Sequence, residues 1–108
     1  MGSSETLKSS LSGERIFASI RVEGRVQGVG YRYYALHLAR RLELTGWVAN
    51  AGDGSVHLEV EGPRSAVNEL VMELRRGPIT ARVREVHVEE GPYQSRFHSF
   101  QVESDRYA

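Results

Sequence analysis

Twice between Ile16 and Val102, an apolar pattern of period two gives way to a helical one and then returns to period two. Few architectures satisfy that order. Ile16, Ala18, Ile20 and Val22 alternate with Phe17, Ser19, Arg21 and Glu23, which predicts a strand with one face toward a core. From Tyr31 to Glu43, Tyr34, Leu38 and Leu42 recur every four residues with Tyr31 and Ala35 beside them, the mark of an amphipathic helix. Trp47 to Asn50 reads as a second strand. The turn chemistry of Ala51-Gly52-Asp53-Gly54-Ser55 then leads to a third strand, in which Val56, Leu58 and Val60 alternate with a wet face of His57, Glu59 and Glu61. These two strands should form a hairpin.

Gly62-Pro63 opens a second helix with an apolar stripe of Val67, Leu70, Val71 and Leu74. Pro63 suits its first turn and Ser65 is a candidate cap; Arg75 and Arg76 favour its end, and Gly77-Pro78 stops it. A fourth strand is expected over Arg82 to Glu89. Val83 is out of phase with Val86 and Val88, which calls for a bulge or a later start. A loop from Glu90 to Arg96 and a short strand holding Phe100 and Val102 follow. The order is β-α-β-β-α-β plus a final strand. Right-handed crossovers put both helices on one side. The expected fold is an α+β, ferredoxin-like split βαβ sandwich with an antiparallel sheet, the two helices on one face and the last strand unplaced.

The 108 residues suit a single domain that buries about two-thirds of its unfolded surface. There is no cysteine, which removes disulfides, thiol nucleophiles and cysteine metal sites, and makes the cytoplasm the default location. Residues 1–15 are rich in Ser, Gly and charge, without an apolar run for a signal peptide or membrane helix. They are expected to form a flexible tail, leaving 16–104 as the domain. The 14 basic and 14 acidic residues balance, so no global field attracts nucleic acid. Between Arg25 and Leu42, however, stand four arginines (Arg25, Arg32, Arg40, Arg41) and no acidic residue.

That basic stretch begins in a loop suited to an anion. Gly24-Arg25-Val26-Gln27-Gly28-Val29-Gly30 joins the first strand to the first helix. Glycines permit positive φ, successive amides can converge on one point, and the helix N-terminus adds more donors. Arg32, in the helix's first turn, can bring its fork to the same point. Two phosphate motifs nearly match and both fail. A dinucleotide fingerprint needs Gly or Ala where Tyr33 stands, and a P-loop needs a Lys that is absent. The loop suits one phosphate. Asn50, taken alone, reads as turn chemistry closing a strand.

Taken together, Gly-Arg-Val-Gln-Gly-Val-Gly-Tyr-Arg (24–32), Thr-Gly-Trp-Val-Ala-Asn (45–50), Asp-Gly-Ser-Val (53–56) and Glu-Gly-Pro (61–63) resemble the acylphosphatase family in order and spacing. The likeness continues through Arg-Gly-Pro-Ile-Thr-Ala-Arg-Val (76–83) and Phe-His-Ser-Phe-Gln-Val (97–102), with Tyr31 where Phe is common. The resemblance implies an enzyme that hydrolyses the carboxyl–phosphate bond of a small-molecule acyl phosphate. It makes Arg32 the phosphate-binding arginine and gives the cradle to the amides of Arg25, Val26, Gln27, Gly28, Val29, Gly30 and Tyr31. It assigns the attacking water to Asn50.

Inorganic phosphate is then both product and inhibitor, with no cofactor, no metal and a monomeric chain expected. His37, His57, His87 and His98 lack a metal-ligand spacing, and no carboxylate set for Mg²⁺ is evident. Trp47, Tyr33 and Tyr34 read as packing residues. An RNA-recognition module shares the chain order but needs aromatics on its central strands, where His57, Glu59 and Glu61 stand. A silent domain of the same fold would have no use for Arg32 and Asn50. The related domain of hydrogenase-maturation proteins belongs to longer chains.

Overall fold

The computed structural model describes residues 14–104. The tail expected over 1–15 lies outside them as far as residue 13. Its last two residues belong to the fold instead. Arg15 pairs with Pro63 in the sheet, and the Glu14 carbonyl accepts the Arg64 N–H at 2.8 Å while its carboxylate holds the Arg64 guanidinium at 3.1 Å.

The elements are β1 (Arg15–Arg25), α1 (Tyr31–Arg41), β2 (Thr45–Asn50), β3 (Val56–Pro63), α2 (Arg64–Arg76), β4 (Arg82–Pro92) and β5 (Phe100–Val102). The sheet runs β4-β1-β3-β2-β5. β3 is antiparallel to both β1 and β2, and β4 is antiparallel to β1. Each strand–helix–strand unit therefore brackets a strand from the other unit, which is the split βαβ expected from the sequence. β5 adds parallel to β2 through Gly46–Phe100, Trp47–Gln101 and Val48–Val102, so the full sheet is mixed at that edge.

One face of the sheet carries Ile16, Ala18, Ile20 and Val22 beside Val56, Leu58 and Val60, all buried under the helices. α2 contributes Val67, Leu70 and Leu74, as its pattern predicts. α1 buries Tyr31, Ala35, Leu36, Leu38 and Ala39, while Tyr34 and Leu42 lie at the margin. A strict spacing of four drifts about 40° per step around a helix of 3.6 residues per turn, so Tyr34 and Leu42 fall to either side of the stripe.

The anomaly at Val83 is a bulge. Glu23 faces Glu85 but Gly24 faces Val83, which leaves Arg84 as the extra residue and returns Val83 to the core side. β4 continues beyond Glu89 to Pro92, opposite Ile16. Pro63 ends β3 in an extended conformation, and α2 starts at Arg64 without a side-chain cap from Ser65. The carbonyl of Glu14 takes the Arg64 N–H there.

Glu61, expected on the wet face, is buried at 1% exposure. Its two oxygens accept the backbone N–H groups of Gln94 and Arg96, each at 2.7 Å. A carboxylate so engaged repays much of its desolvation and pins the loop after β4 across the open face of the sheet.

Candidate active site

The Gly-rich segment lies where β1, the β2–β3 turn and α1 meet. Gly28 and Gly30 have φ of +76° and +81°, while Val29 between them does not have positive φ. An alternation of this kind can turn successive amides toward a common side. A Cβ at either glycine would meet nothing within 4 Å, so the glycines serve the backbone conformation rather than close packing. Gly30 is the N-cap of α1, and its carbonyl accepts the Tyr34 N–H at 3.0 Å. Among the described residues no side chain caps this end, and its first turn holds no acid. The first-turn amides and the positive end of the dipole are therefore available to an anion.

Two side chains from elsewhere hold the loop. Thr80 donates its hydroxyl to the Val29 carbonyl at 2.8 Å. Gln27 donates from Nε2 to the carbonyls of Ala51 and Ser55, both at 2.8 Å. The Gln27 side chain thus ties the loop to the turn that follows Asn50.

A pocket of about 120 Å³ opens at this junction, lined by Val26, Gly28, Gly30, Tyr31, Arg32, Tyr33 and Asn50. It falls below the roughly 300–1,000 Å³ of sites for drug-sized ligands and suits a single compact anion. Larger hollows on the open sheet face, of about 330 and 450 Å³, carry mixed charge and no Gly-rich turn of amides. Chemistry, not size, singles out the smaller one.

Arg32 lends one donor to the carbonyl of Glu103 at 3.3 Å, which steadies the guanidinium from beyond β5. Asn50 lies at the end of β2, opposite Val56. Its Oδ1 is buried and has no hydrogen-bond partner among the described residues. A buried orphan acceptor costs about 1–3 kcal/mol, so its presence in a pocket points to a ligand donor.

Of the expected cradle residues, Val26, Gly28, Gly30 and Tyr31 line the pocket with Arg32 and Asn50. Arg25 belongs to the end of β1, paired with Arg82, while Gln27 and Val29 point side chain and carbonyl respectively into the loop's anchors. Tyr31 also has a packing role: its buried hydroxyl donates to the Leu74 carbonyl at 2.7 Å. Burial pushes its phenol pKa well above the usual range, which keeps it a donor.

Tyr34 packs as expected and donates to the Glu73 carbonyl at 2.8 Å. Tyr33 does not: it stands 57% exposed at the rim of the pocket. Trp47 is buried, with Nε1 donating to Glu59 at 3.2 Å.

The turn behind Asn50 is tightly wired. The Ala51 N–H donates to the Ser55 carbonyl at 2.9 Å, and the Asp53 carboxylate accepts from the Ser55 N–H at 3.0 Å and its hydroxyl at 2.5 Å. The Ser55 bonds hold the Asp53 carboxyl below its usual pKa. Burial lowers the His57 imidazole, with Asp53 opposing and Arg21 adding to the shift.

One cluster was not foreseen from the sequence. Glu23, Glu85 and His87 bring potential metal-ligating atoms within 4.8 Å of one another. None of them lines the pocket with Arg32 and Asn50. Glu23 is already paired with Arg21 and with Arg84, so two guanidiniums crowd the place a cation would take.

Fold and pocket together define a ferredoxin-like α+β domain with a small pocket at the start of α1. The family model of acylphosphatases matches residues 18–102. The curated acylphosphatase of Salinibacter ruber is 49% identical over 84 residues, covering 78% of this chain and 88% of that one. The crystal structure of acylphosphatase from Bacillus subtilis superposes with a TM-score of 0.79 at 35% identity, over 82% of this chain and 98% of that one. Full-length HypF, crystallised in a phosphate- and nucleotide-bound form, superposes with a TM-score of 0.73 at 25% identity over 85% of this chain but 12% of its own.

The chain belongs to the acylphosphatase family. Its activity is the hydrolysis of the carboxyl–phosphate bond of a small acyl phosphate, giving a carboxylate and inorganic phosphate. Among the described residues, no helix is long and apolar enough to cross a membrane.

Proposed function

We propose that the acyl phosphate is hydrolysed at the α1 N-terminus, with Arg32 and the loop amides holding the phosphoryl group and Asn50 holding the attacking water. Phosphoryl transfer asks the protein for positioning and charge stabilisation more than for covalent chemistry. The amides of the segment from Arg25 to Tyr31 surround the phosphoryl oxygens, led by those at the pocket wall. Arg32 adds a planar, charge-assisted fork that strengthens as the carboxylate departs. The water donates one hydrogen to Asn50 Oδ1 and presents a lone pair to phosphorus in line with the leaving oxygen. An amide cannot accept the water's proton at neutral pH, so it passes to the substrate's own oxygens. Positive charge comes from Arg32 and the helix terminus, and the reaction needs no metal. A monomer in the cytoplasm, inhibited competitively by its product, completes the reading.

The observation that carries this reading is the buried, unpartnered Oδ1 of Asn50 in the same small pocket as Arg32 and the two positive-φ glycines. Phosphate release from acetyl and benzoyl phosphate in excess EDTA tests it, with wild type beside Asn50→Ala. Turnover of the wild type should persist without metal. The variant should lose roughly 10²- to 10³-fold in kcat, on the scale of one positioned polar group, or about 3–4 kcal/mol. Its inhibition constant for inorganic phosphate should barely change. A destabilised variant with near-normal kcat per folded molecule would return Asn50 to turn chemistry.

A further inference from the structure

We propose that the side chain of Gln27 is a positioning residue for the hydrolysis, setting the distance between the bound water and the phosphoryl group. The inference rests on the assignment of the water to Asn50 and goes beyond it, because Gln27 need touch neither water nor substrate through its side chain.

Gln27 sits within the cradle loop, and its two Nε2 hydrogens reach the carbonyls of Ala51 and Ser55 at 2.8 Å each. Both partners only accept, which fixes the orientation of the amide. Ala51 directly follows Asn50, and Ser55 closes the same turn through the Ala51 N–H at 2.9 Å. One planar group therefore joins the two halves of the site. On one side is the loop whose amides face the anion; on the other is the backbone from which Asn50 projects.

Nothing else among the described hydrogen bonds links this loop to the turn. The cradle has its own separate supports in the Thr80–Val29 bond and the start of α1. Loss of the Gln27 clip should loosen the relation of the two halves while leaving the anion site standing. A shift of about 1 Å between reacting groups can cost on the order of 100-fold.

The test is Gln27→Met, which keeps length and volume but has no donor, made in the wild type and in Asn50→Ala. Gln27→Glu, isosteric but unable to donate when ionised, serves as the second variant. Turnover of acetyl phosphate is taken per folded molecule from a melting curve, and inhibition by inorganic phosphate is measured alongside. Each variant should lower kcat about 10-fold or more with the phosphate inhibition constant within about 3-fold. On the Asn50→Ala background the same change should cost less than about 2-fold, since no held water remains to be misplaced.

A full-sized loss on that background, or a phosphate constant that rises in step with the fall in kcat, would make Gln27 a cradle support only. A near-normal kcat in both variants would remove the role altogether. Either result can stand with Asn50 still essential, which separates this failure from failure of the assignment beneath it.

Discussion

Arg32 carries five N–H donors, and the Glu103 carbonyl takes one of them at 3.3 Å from outside the pocket. The remaining donors keep the planar fork that two phosphoryl oxygens can share. Arg32→Lys keeps the charge and loses that geometry. The expected result is a fall of at least about 10-fold in kcat/KM for acetyl phosphate, with weaker phosphate inhibition. A Lys variant within about 2-fold of wild type in steady-state kinetics would show that charge alone suffices.

At this scale the sequence was uneven as a guide. Although a plain strand-to-helix turn with Arg32 as a surface cation would read the same way, Arg32 and the glycines suggest an anion site because a Gly-rich turn leads into a helix. Asn50 does not, since Asn at a strand end is ordinary turn chemistry, and only the family resemblance gives it the water. The side chain of Gln27 leaves no local trace: its partners lie 24 and 28 residues away. Glu61 and Tyr33 are misread for a related reason. Strand alternation puts Glu61 on the open face but cannot foresee the loop that covers it, and helix spacing cannot say that Tyr33 meets the pocket rim.

Among the elements, the two helices are joined by phenols. Tyr31 and Tyr34 of α1 donate to the carbonyls of Leu74 and Glu73 in the last turn of α2. The Leu74 carbonyl is among the four that a helix end leaves without helical partners, while that of Glu73 also accepts the Gly77 N–H at 2.9 Å. Tyr31→Phe keeps the ring and leaves the Leu74 carbonyl without this donor. The expected cost is about 1–3 kcal/mol, seen as a melting temperature lower by roughly 4 °C or more. Activity per folded molecule should hold, because the phenol oxygen is engaged with Leu74, which does not line the pocket. An unchanged melting temperature would show that water replaces the phenol at no cost.

The element pattern itself was readable where long alternation exists. The phase slip at Val83 announced the Arg84 bulge, and the glycine- and aspartate-rich turn announced the hairpin. β5 was readable as a short strand but not in its place in the sheet. Three residues specify neither a partner nor a direction, and its parallel place beside β2 follows from the loop after β4, which Glu61 holds across the sheet. Its consequence reaches the site, because the segment leaving β5 carries the Glu103 carbonyl to Arg32.

For the molecule as a whole, the site is a meeting point rather than a feature of one element. β1 ends there, α1 starts there, the β2–β3 turn is clipped to it through Gln27, and the loop after α2 braces it through Thr80. No partial fold assembles that set, so an anion in the cradle binds the native state and not the unfolded chain. Binding of that kind adds RT ln(1 + [L]/Kd) to stability. Inorganic phosphate at ten times its Kd should therefore contribute about 1.4 kcal/mol, and a domain of this size should melt about 5–10 °C higher. The two site residues should then part company. Asn50→Ala keeps the amides and the guanidinium and should show nearly the full shift, whatever its own baseline. Arg32→Ala loses the charged fork and should show little of it at the same phosphate concentration. A scanning calorimetry series in phosphate against a chloride control of equal ionic strength checks both. An equal shift in Arg32→Ala would mean that phosphate stabilises the fold from somewhere other than the cradle, and the anion would have to be sought elsewhere on the surface.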